Sequence, residues 1–297
     1  MGRLAPGRDR VNTCELYGKA TEVTTTDVEP AIDDTDTQAL RAFAQEYGDA
    51  RFSPVVIIIA AYNEAQGIGA VVERIPRCSC GMDVQTLVVD DGSPDATADA
   101  ARRHGAYVCR APRNRGQGAA LRLGYRLARE RGAQCLVTTD ADGQYDIEEL
   151  PLLLQPLVDG TADFVTGSRV LGSHQATDVA RRVGTPVFAW LVSALTGTRV
   201  TDTSFGFRAM RAEVTGDVTL AQPQYQSSEL LIGVLARGYR VLEQPMRMLR
   251  RNQGSTKKGG SVVYGWNYFR VVVGTWRRER GRNRRSRSTK RPAKSTA

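Results

Sequence analysis

The stretch 136-LVTTDADGQYD-146 runs a strand-like Leu136–Thr139 straight into Asp140, Ala141 and Asp142. Two carboxylates one residue apart cost little on an exposed loop. They are also what a hard divalent cation, or a cation-bound phosphate, requires, because Mg2+ and Mn2+ prefer oxygen ligands. Two more polar clusters, 61-AYNEA-65 and 90-DDGSPD-95, follow strand-like runs in the same way. Other chemistries are poorly supplied. The chain has two histidines, His104 and His174, so histidine-based catalysis has little to draw on. Its five cysteines show no zinc or disulfide spacing; Cys78 and Cys80 form a lone C-x-C, and the set fits reduced thiols.

The elements that must position these clusters alternate. Residues 55–60 (VVIIIA) form a continuous β-branched run, as expected of a central parallel strand. A helix over 65–75, a strand over 84–90, a helix over 94–104, a strand over 106–110, a helix over 118–131 and a strand over 134–139 follow. Ser93 is the expected N-cap of the second of these helices, with Pro94 at its first position. Repeated βα units imply an α/β fold with a doubly wound, mostly parallel sheet. Ligands bind such sheets beyond the carboxyl ends of the strands, and all three polar clusters fall there. That convergence favours a cation site over three unrelated solvated loops.

The sequence excludes several enzyme classes. The first βα turn lacks G-x-G-x-x-G, no G-x-x-x-x-G-K-[ST] occurs, and no G-x-S-x-G is present. These absences argue against a dinucleotide-binding domain, a P-loop enzyme and a serine hydrolase. With 297 residues and 41% apolar content, the chain suits one large domain or two small ones. No run approaches the roughly 18 apolar residues of a spanning helix, and the polar start is unlike a signal peptide. The net charge is +9, and residues 277–297, with ten Lys/Arg and one Glu, account for all of it. Four segments are expected: an acidic, mostly disordered arm over 1–50 with one short helix near 36–47; a folded domain over 51–260; an amphipathic helix over 261–280; and a disordered basic tail over 281–297.

In order and spacing, 62-YNE-64, 88-VVDDGSPDAT-97, 113-RNRGQGAALRLG-124, 138-TTDADGQYD-146, 166-TGSR-169, 202-DTSFGFRAMR-211 and 251-RNQGSTK-257 match one family. From about Pro54 to Tyr268 the chain resembles the inverting family 2 glycosyltransferases of the GT-A fold, with a Rossmann-like nucleotide-binding half. It looks most like the dolichyl-phosphate or polyprenyl-phosphate mannose and glucose synthases.

The resemblance implies Mg2+ or Mn2+ as cofactor, held by Asp140, Asp142 and Gln144. It implies a nucleotide-sugar pocket from Ala60, Tyr62, Glu64, Asp90, Asp91, Gly116, Gln117, Gly118 and Ala141. Asp90 is the stronger ligand candidate of its pair, although either carboxylate can instead start the turn that follows. Ala60 stands where the family often has proline, and Gln117 where it often has lysine.

Arg169, Arg181, Thr185 and Arg251 are implied as acceptor-phosphate ligands, with Arg182 as a neighbour able to substitute. Arginine suits phosphate by geometry. The implied catalytic set is Asp140, Asp142, Arg169 and Arg251. A phosphate oxygen is already anionic at neutral pH and needs no general base. The alternative is a soluble small-molecule hydroxyl acceptor, which needs a carboxylate base, and Glu229 is the candidate. Asp202 is expected to order the loop near the acceptor. Phe205 stands where the family usually has a small polar residue.

The implied partners are a GDP- or UDP-sugar donor, a polyprenyl phosphate and an anionic membrane surface, with no nucleic acid. Val262, Trp266, Phe269, Val273 and Trp276 recur on one helical face next to the arginine-rich tail. This pattern fits an in-plane interfacial helix or a helix packed on the sheet. The expected location is cytoplasmic, on the inner face of a membrane.

Overall fold

The computed structural model describes residues 34–174, 179–222, 226–249 and 261–289, with the side chains of 173–185, 261–265, 267 and 282–289 outside that description. The order begins α1 (Asp34–Tyr47), β1 (Val55–Ala61), α2 (Ile68–Glu73), β2 (Cys78–Ser79), β3 (Met82–Asp90), α3 (Thr97–Arg103) and β4 (Tyr107–Arg110). It continues with α4 (Gln117–Glu130), β5 (Cys135–Asp140), a 3-10 turn (Ile147–Glu149), α5 (Leu150–Val158), β6 (Phe164–His174) and α6 (Val179–Thr196). It ends with β7 (Arg208–Arg211), α7 (Val214–Asp217), α8 (Gln226–Arg237), β8 (Val241–Met248) and α9 (Ser261–Thr289).

The sheet runs β2-β3-β1-β5-β7-β6-β8, with β4 also beside β3. Strands β4, β3, β1 and β5 pair in parallel, as do β6 and β8, while β7 is antiparallel to both neighbours. The expected α/β sheet, mostly parallel, is therefore present.

Alternation along the strands splits the core into two layers. Val56, Ile58, Leu87 and Val89 face a layer that includes Phe43 of α1, Leu123 of α4, Leu231 of α8 and Val272 of α9. Val55, Ile57, Ile59 and Val88 face Ile68 of α2, Ala101 of α3 and Leu154 of α5.

Three expectations change. The second βα helix starts at Thr97 rather than Pro94. Ser93 does not cap it, because the Ser93 hydroxyl accepts the Asn63 amide at 3.0 Å and Asp95 takes the Thr97 amide at 3.1 Å. The helix expected near 36–47 is α1, and its Ala39 and Phe43 are core residues, so the folded body starts ahead of residue 51. It covers the side of β4, where the Tyr47 hydroxyl accepts the Val108 amide at 3.2 Å. Finally, α9 continues to Thr289, so the first nine residues of the basic segment are helical rather than disordered. Arginine is a good helix former, and the preceding turns are already fixed by packing.

Candidate functional site

The register of the three central strands sets the site. Ala61 at the end of β1 lies beside Asp90 of β3, and Ala60 lies beside Asp140 of β5. The three polar clusters therefore share one rim, as parallel strands ending together require.

At this rim Asp140 and Asp142 are partly exposed, with Gln144 close behind them. The Gln117 side chain, at the start of α4, donates to Asp140 Oδ1 at 3.1 Å. The Gln144 amide donates to Asp142 Oδ1 at 3.1 Å, which tightens the turn between them. The donor set is two carboxylates and an amide oxygen, all hard ligands suited to Mg2+ or Mn2+. Among the described residues no cluster of three or more His, Cys, Asp or Glu is arranged around a metal. A cation at Asp140 and Asp142 therefore needs oxygens from its substrate or from water, as Mg2+ sites commonly have.

Asp90 and Asp91 are buried and bind the protein rather than face outward. Asp90 Oδ1 accepts the Ser93 amide at 3.0 Å, and its Oδ2 lies 3.2 Å from Nε of Arg110. Asp91 Oδ2 accepts the amides of Arg115 at 3.0 Å and Gly116 at 2.6 Å. Burial pushes the Asp91 carboxyl up, and these two amides pull it back. Asp91 thus fastens the Arg113–Gly118 loop to β3, while Asp90 holds the turn after β3 through the Ser93 amide, the turn-forming role left open for it. Tyr62 is about a third exposed, and the amide of Glu64 is held by Thr97 at 2.9 Å. Gly118 and Ala141 are buried, while Ala60 is partly exposed.

The second half of the site is the loop from Asp202 to Arg208. Arg169 donates from Nε to Asp202 at 2.6 Å and from Nη2 to Ser204 at 2.8 Å. Burial works against the guanidinium charge, but the Asp202 carboxylate outweighs it and holds Arg169 more firmly protonated. Asp202 therefore orders this loop, as expected. Phe205 is fully buried. Its ring lies in a slot over Gly167, where a Cβ would come within 2.3 Å of it, and the Arg169 guanidinium sits 5.8 Å from its centroid.

Glu229 is not positioned as a base. It is fully buried, accepts the Ala221 and Gln222 amides at 3.0 Å, and pairs with Nη2 of Arg278 at 2.8 Å. Arg251 lies outside the described residues. Arg181, Arg182 and Thr185 lie on α6, but their side chains are outside the description.

The family described as Glycosyl transferase family 2 matches residues 56–219, from β1 through the rim and the Asp202–Arg208 loop. The chain belongs to that family. This glycosyltransferase is 36% identical over 216 residues to a dolichyl-phosphate hexose transferase of Haloferax volcanii, covering 71% of this chain and 91% of the relative. It is 32% identical to an undecaprenyl-phosphate mannosyltransferase of Micrococcus luteus, covering 70% of this chain and 89% of the relative. It is 33% identical to a polyprenol monophosphomannose synthase of Mycolicibacterium smegmatis, covering 70% and 82%.

The fold resembles glucosyl-3-phosphoglycerate synthase from Mycobacterium tuberculosis, solved with Mn2+, UDP and phosphoglyceric acid. The TM-score is 0.59 at 21% identity, covering 83% of each chain. The expected family and GT-A fold are both present.

Sequence reading passed over several residues that build the glycosyltransferase site. Arg208 is buried and donates to the carbonyls of Phe205 and Ser227, which ties the Asp202–Arg208 loop to α8. Arg115 pairs with Asp36 of α1, outside the family match. Tyr145 reaches the Asp202–Arg208 loop at the Gly206 amide and Tyr268 reaches it at Thr203 Oγ1. Arg115, Tyr145 and Arg208 lie inside the motifs quoted above, whereas Asp36 and Tyr268 lie outside them.

Proposed function

We propose that this enzyme moves a hexose from a nucleotide-diphosphate sugar to a polyprenyl (dolichyl-type) phosphate, with inversion and with a divalent cation. One observation carries the reading. A carboxylate suited to a cation, Asp140, and a guanidinium suited to phosphate, Arg169, flank the same Phe205–Gly206 turn. A Cβ on Gly206 would lie 3.3 Å from Asp140 Oδ2, and Arg169 stacks over Phe205. The relatives named for polyprenyl-phosphate acceptors support the same class of acceptor.

The chemistry follows from the charges. As the bond from the sugar C1 to the diphosphate breaks, charge develops on the leaving group; Asp140, Asp142 and Gln144 would hold a divalent cation, which would supply the compensating charge. An acceptor phosphate oxygen forms the new bond to C1 from the opposite face. It carries no proton to remove, so the burial of Glu229 is no obstacle. A hydroxyl acceptor would need a base, and the side chain proposed for that role is occupied by Arg278. Arg169 binds the acceptor phosphate, with Arg181 and Arg251 as further ligands by family resemblance.

The acceptor side lies close to α9. The Tyr268 hydroxyl meets Thr203 Oγ1 at 2.6 Å, one residue from Asp202. No helix among the described residues is long and apolar enough to cross a membrane. We infer that α9 reaches the lipid along the bilayer surface instead. It packs on α8 and α6 through Tyr268, Val272, Thr275 and Glu279. The aromatic stripe lies beside that buried face. Trp266 is 63% exposed, Phe269 is 38% exposed, and their rings stack at 5.7 Å.

The test mixes purified enzyme, Mg2+ or Mn2+, a panel of labelled GDP- and UDP-sugars and a polyprenyl phosphate in detergent. Label entering the organic phase with one donor, and lost in Asp142→Asn, supports the reading. Label that stays aqueous while nucleoside diphosphate accumulates removes the lipid acceptor.

A further inference from the structure

Tyr145 follows the two carboxylates and Gln144 but has no part in the chemistry above. Its ring is buried between Phe205, with centroids 4.8 Å apart, and Phe207, at 5.8 Å. Its hydroxyl oxygen accepts the Gly206 amide at 2.8 Å. Its backbone bridges Met248 at the end of β8, and the Gln144 carbonyl accepts the Leu249 amide at 2.8 Å. One residue of the carboxylate loop thus touches the acceptor-side loop through its side chain and β8 through its main chain.

The space around Gly206 is built for this contact. A Cβ there would lie 2.8 Å from the Tyr145 oxygen and 3.3 Å from Asp140 Oδ2. The Gly206 amide, the Tyr145 hydroxyl and the Asp140 carboxylate therefore meet in one small volume, which only glycine at 206 leaves open. Arg169 lies over Phe205, next along the loop. Shifting the Gly206 amide would shift the guanidinium relative to the carboxylates. Thr138 Oγ1 donates to the Gly206 carbonyl at 2.7 Å and holds that side of the residue to β5, Asp202 fixes the start of the loop through Arg169 and Ser204, and Arg208 fixes its end through Phe205 and Ser227; the Gly206 amide is left to Tyr145.

We propose that Tyr145 is a positioning residue that sets the acceptor-side loop, Asp202–Arg208, in register with the Asp140–Asp142 carboxylates. It acts through the Gly206 amide and touches neither donor nor acceptor. The kinetic part of this inference rests on the transferase reading above; the loop-ordering part does not. Removing the oxygen while keeping the ring leaves the Gly206 amide without its acceptor, so the loop should open locally while the sheet stays closed.

The experiment compares the full-length chain with its Tyr145→Phe variant by hydrogen exchange. Peptides spanning 202–208 should exchange about tenfold faster, while those spanning 84–91 and 113–118 should not change. With Mn2+ present, affinity for UDP or GDP should stay within about twofold while turnover falls about tenfold at saturating donor, a split that general destabilisation does not produce. Unchanged exchange over 202–208 would overturn the proposal. So would faster exchange across the whole sheet, or a loss of nucleotide affinity that matches the loss of turnover.

A double-mutant cycle gives a second decision. Gly206→Ala alone forces a methyl against the Tyr145 oxygen, and Tyr145→Phe makes room for it. The pair should therefore be less defective than the product of the single effects, whereas independent losses count against the proposal. If the wild type fails to transfer to polyprenyl phosphate, the acceptor reading falls, and the exchange result still decides the role of Tyr145.

Discussion

Nε of Arg169 lies 2.6 Å from Oδ2 of Asp202, and Nη2 lies 3.2 Å from Oδ1, so the two side chains form a bidentate pair. The Arg169 side chain is only 12% exposed and that of Asp202 is fully buried. Such a pair fixes a planar guanidinium in one orientation. Asp202→Asn removes the charge but keeps the shape, leaving a buried arginine without its counter-charge. The expected loss is about 3 kcal/mol of stability, read by urea denaturation, since breaking a buried pair costs about 3–5 kcal/mol. The acceptor KM should rise at temperatures where the variant remains folded. Wild-type acceptor kinetics in a folded Asp202→Asn enzyme would show that the orientation of Arg169 does not matter.

Asp142→Asn should act in the opposite way. Asp142 is partly exposed and accepts the Gln144 amide across a short turn, so the stability change should stay within about 0.5–1 kcal/mol. Affinity for a nucleoside diphosphate in Mn2+ should fall by about tenfold or more, measured by calorimetry. Chelating the metal from the wild type should bring it to the same level. A variant that still binds nucleotide tightly only when Mn2+ is present would move the cation site elsewhere.

Glu229 separates the two acceptor classes. A general base contributes about 10²–10⁴ in rate, so its loss would cripple turnover in a folded enzyme. In this structure Glu229 ties α8, the 219–222 segment and Arg278 of α9 together. Glu229→Gln should therefore lose about 2–3 kcal/mol of stability, measured by chemical denaturation, with kcat changed less than about fivefold at low temperature. A hundredfold drop in kcat at unchanged stability would restore the hydroxyl-acceptor alternative.

The parts of this molecule that sequence reading found are those fixed by local pattern. The β-branched run 55–60, the βα repeat and the three strand-end clusters all follow from residue types a few positions apart, and the register of Ala60 and Ala61 with Asp140 and Asp90 confirms their convergence. What stayed hidden depends on contacts far apart in sequence. The Arg115–Asp36 pair spans 79 residues, and the Tyr145–Gly206 hydrogen bond spans 61. Ser93 reads as a helix cap only until the Asn63 amide, 30 residues away, claims its hydroxyl. Likewise, the aromatic spacing of α9 marks an apolar stripe, but the face that packs is set by Tyr268 meeting Thr203 and Ser228.

Helix α1 lies outside the residues matched to the family, 56–219, yet Phe43 is 1% exposed and lies against Tyr47, Phe52 and Tyr107. Phe43→Ala should cost about 3–4 kcal/mol, the usual range for emptying a buried phenylalanine site. Thermal melting of the variant would check this. A change below about 1 kcal/mol would mean that α1 is detachable and that the folded body begins at β1.

Membrane attachment through α9 cannot be tested by deleting the helix, because Tyr268, Val272 and Thr275 belong to the buried face and their loss would damage the fold. The exposed pair Trp266 and Phe269 offers a cleaner change. Replacing both with serine should lower the melting temperature by a few degrees while the fold stays intact, since part of Phe269 and of Trp266 is buried but neither fills the core. Sedimentation with anionic liposomes should fall about tenfold or more, as expected when an interfacial helix loses its aromatic anchors. Binding of the wild type should also weaken as salt rises, because screening reduces the attraction of the C-terminal arginines for anionic headgroups. Equal sedimentation of the double variant and the wild type would place the contact with lipid away from this stripe.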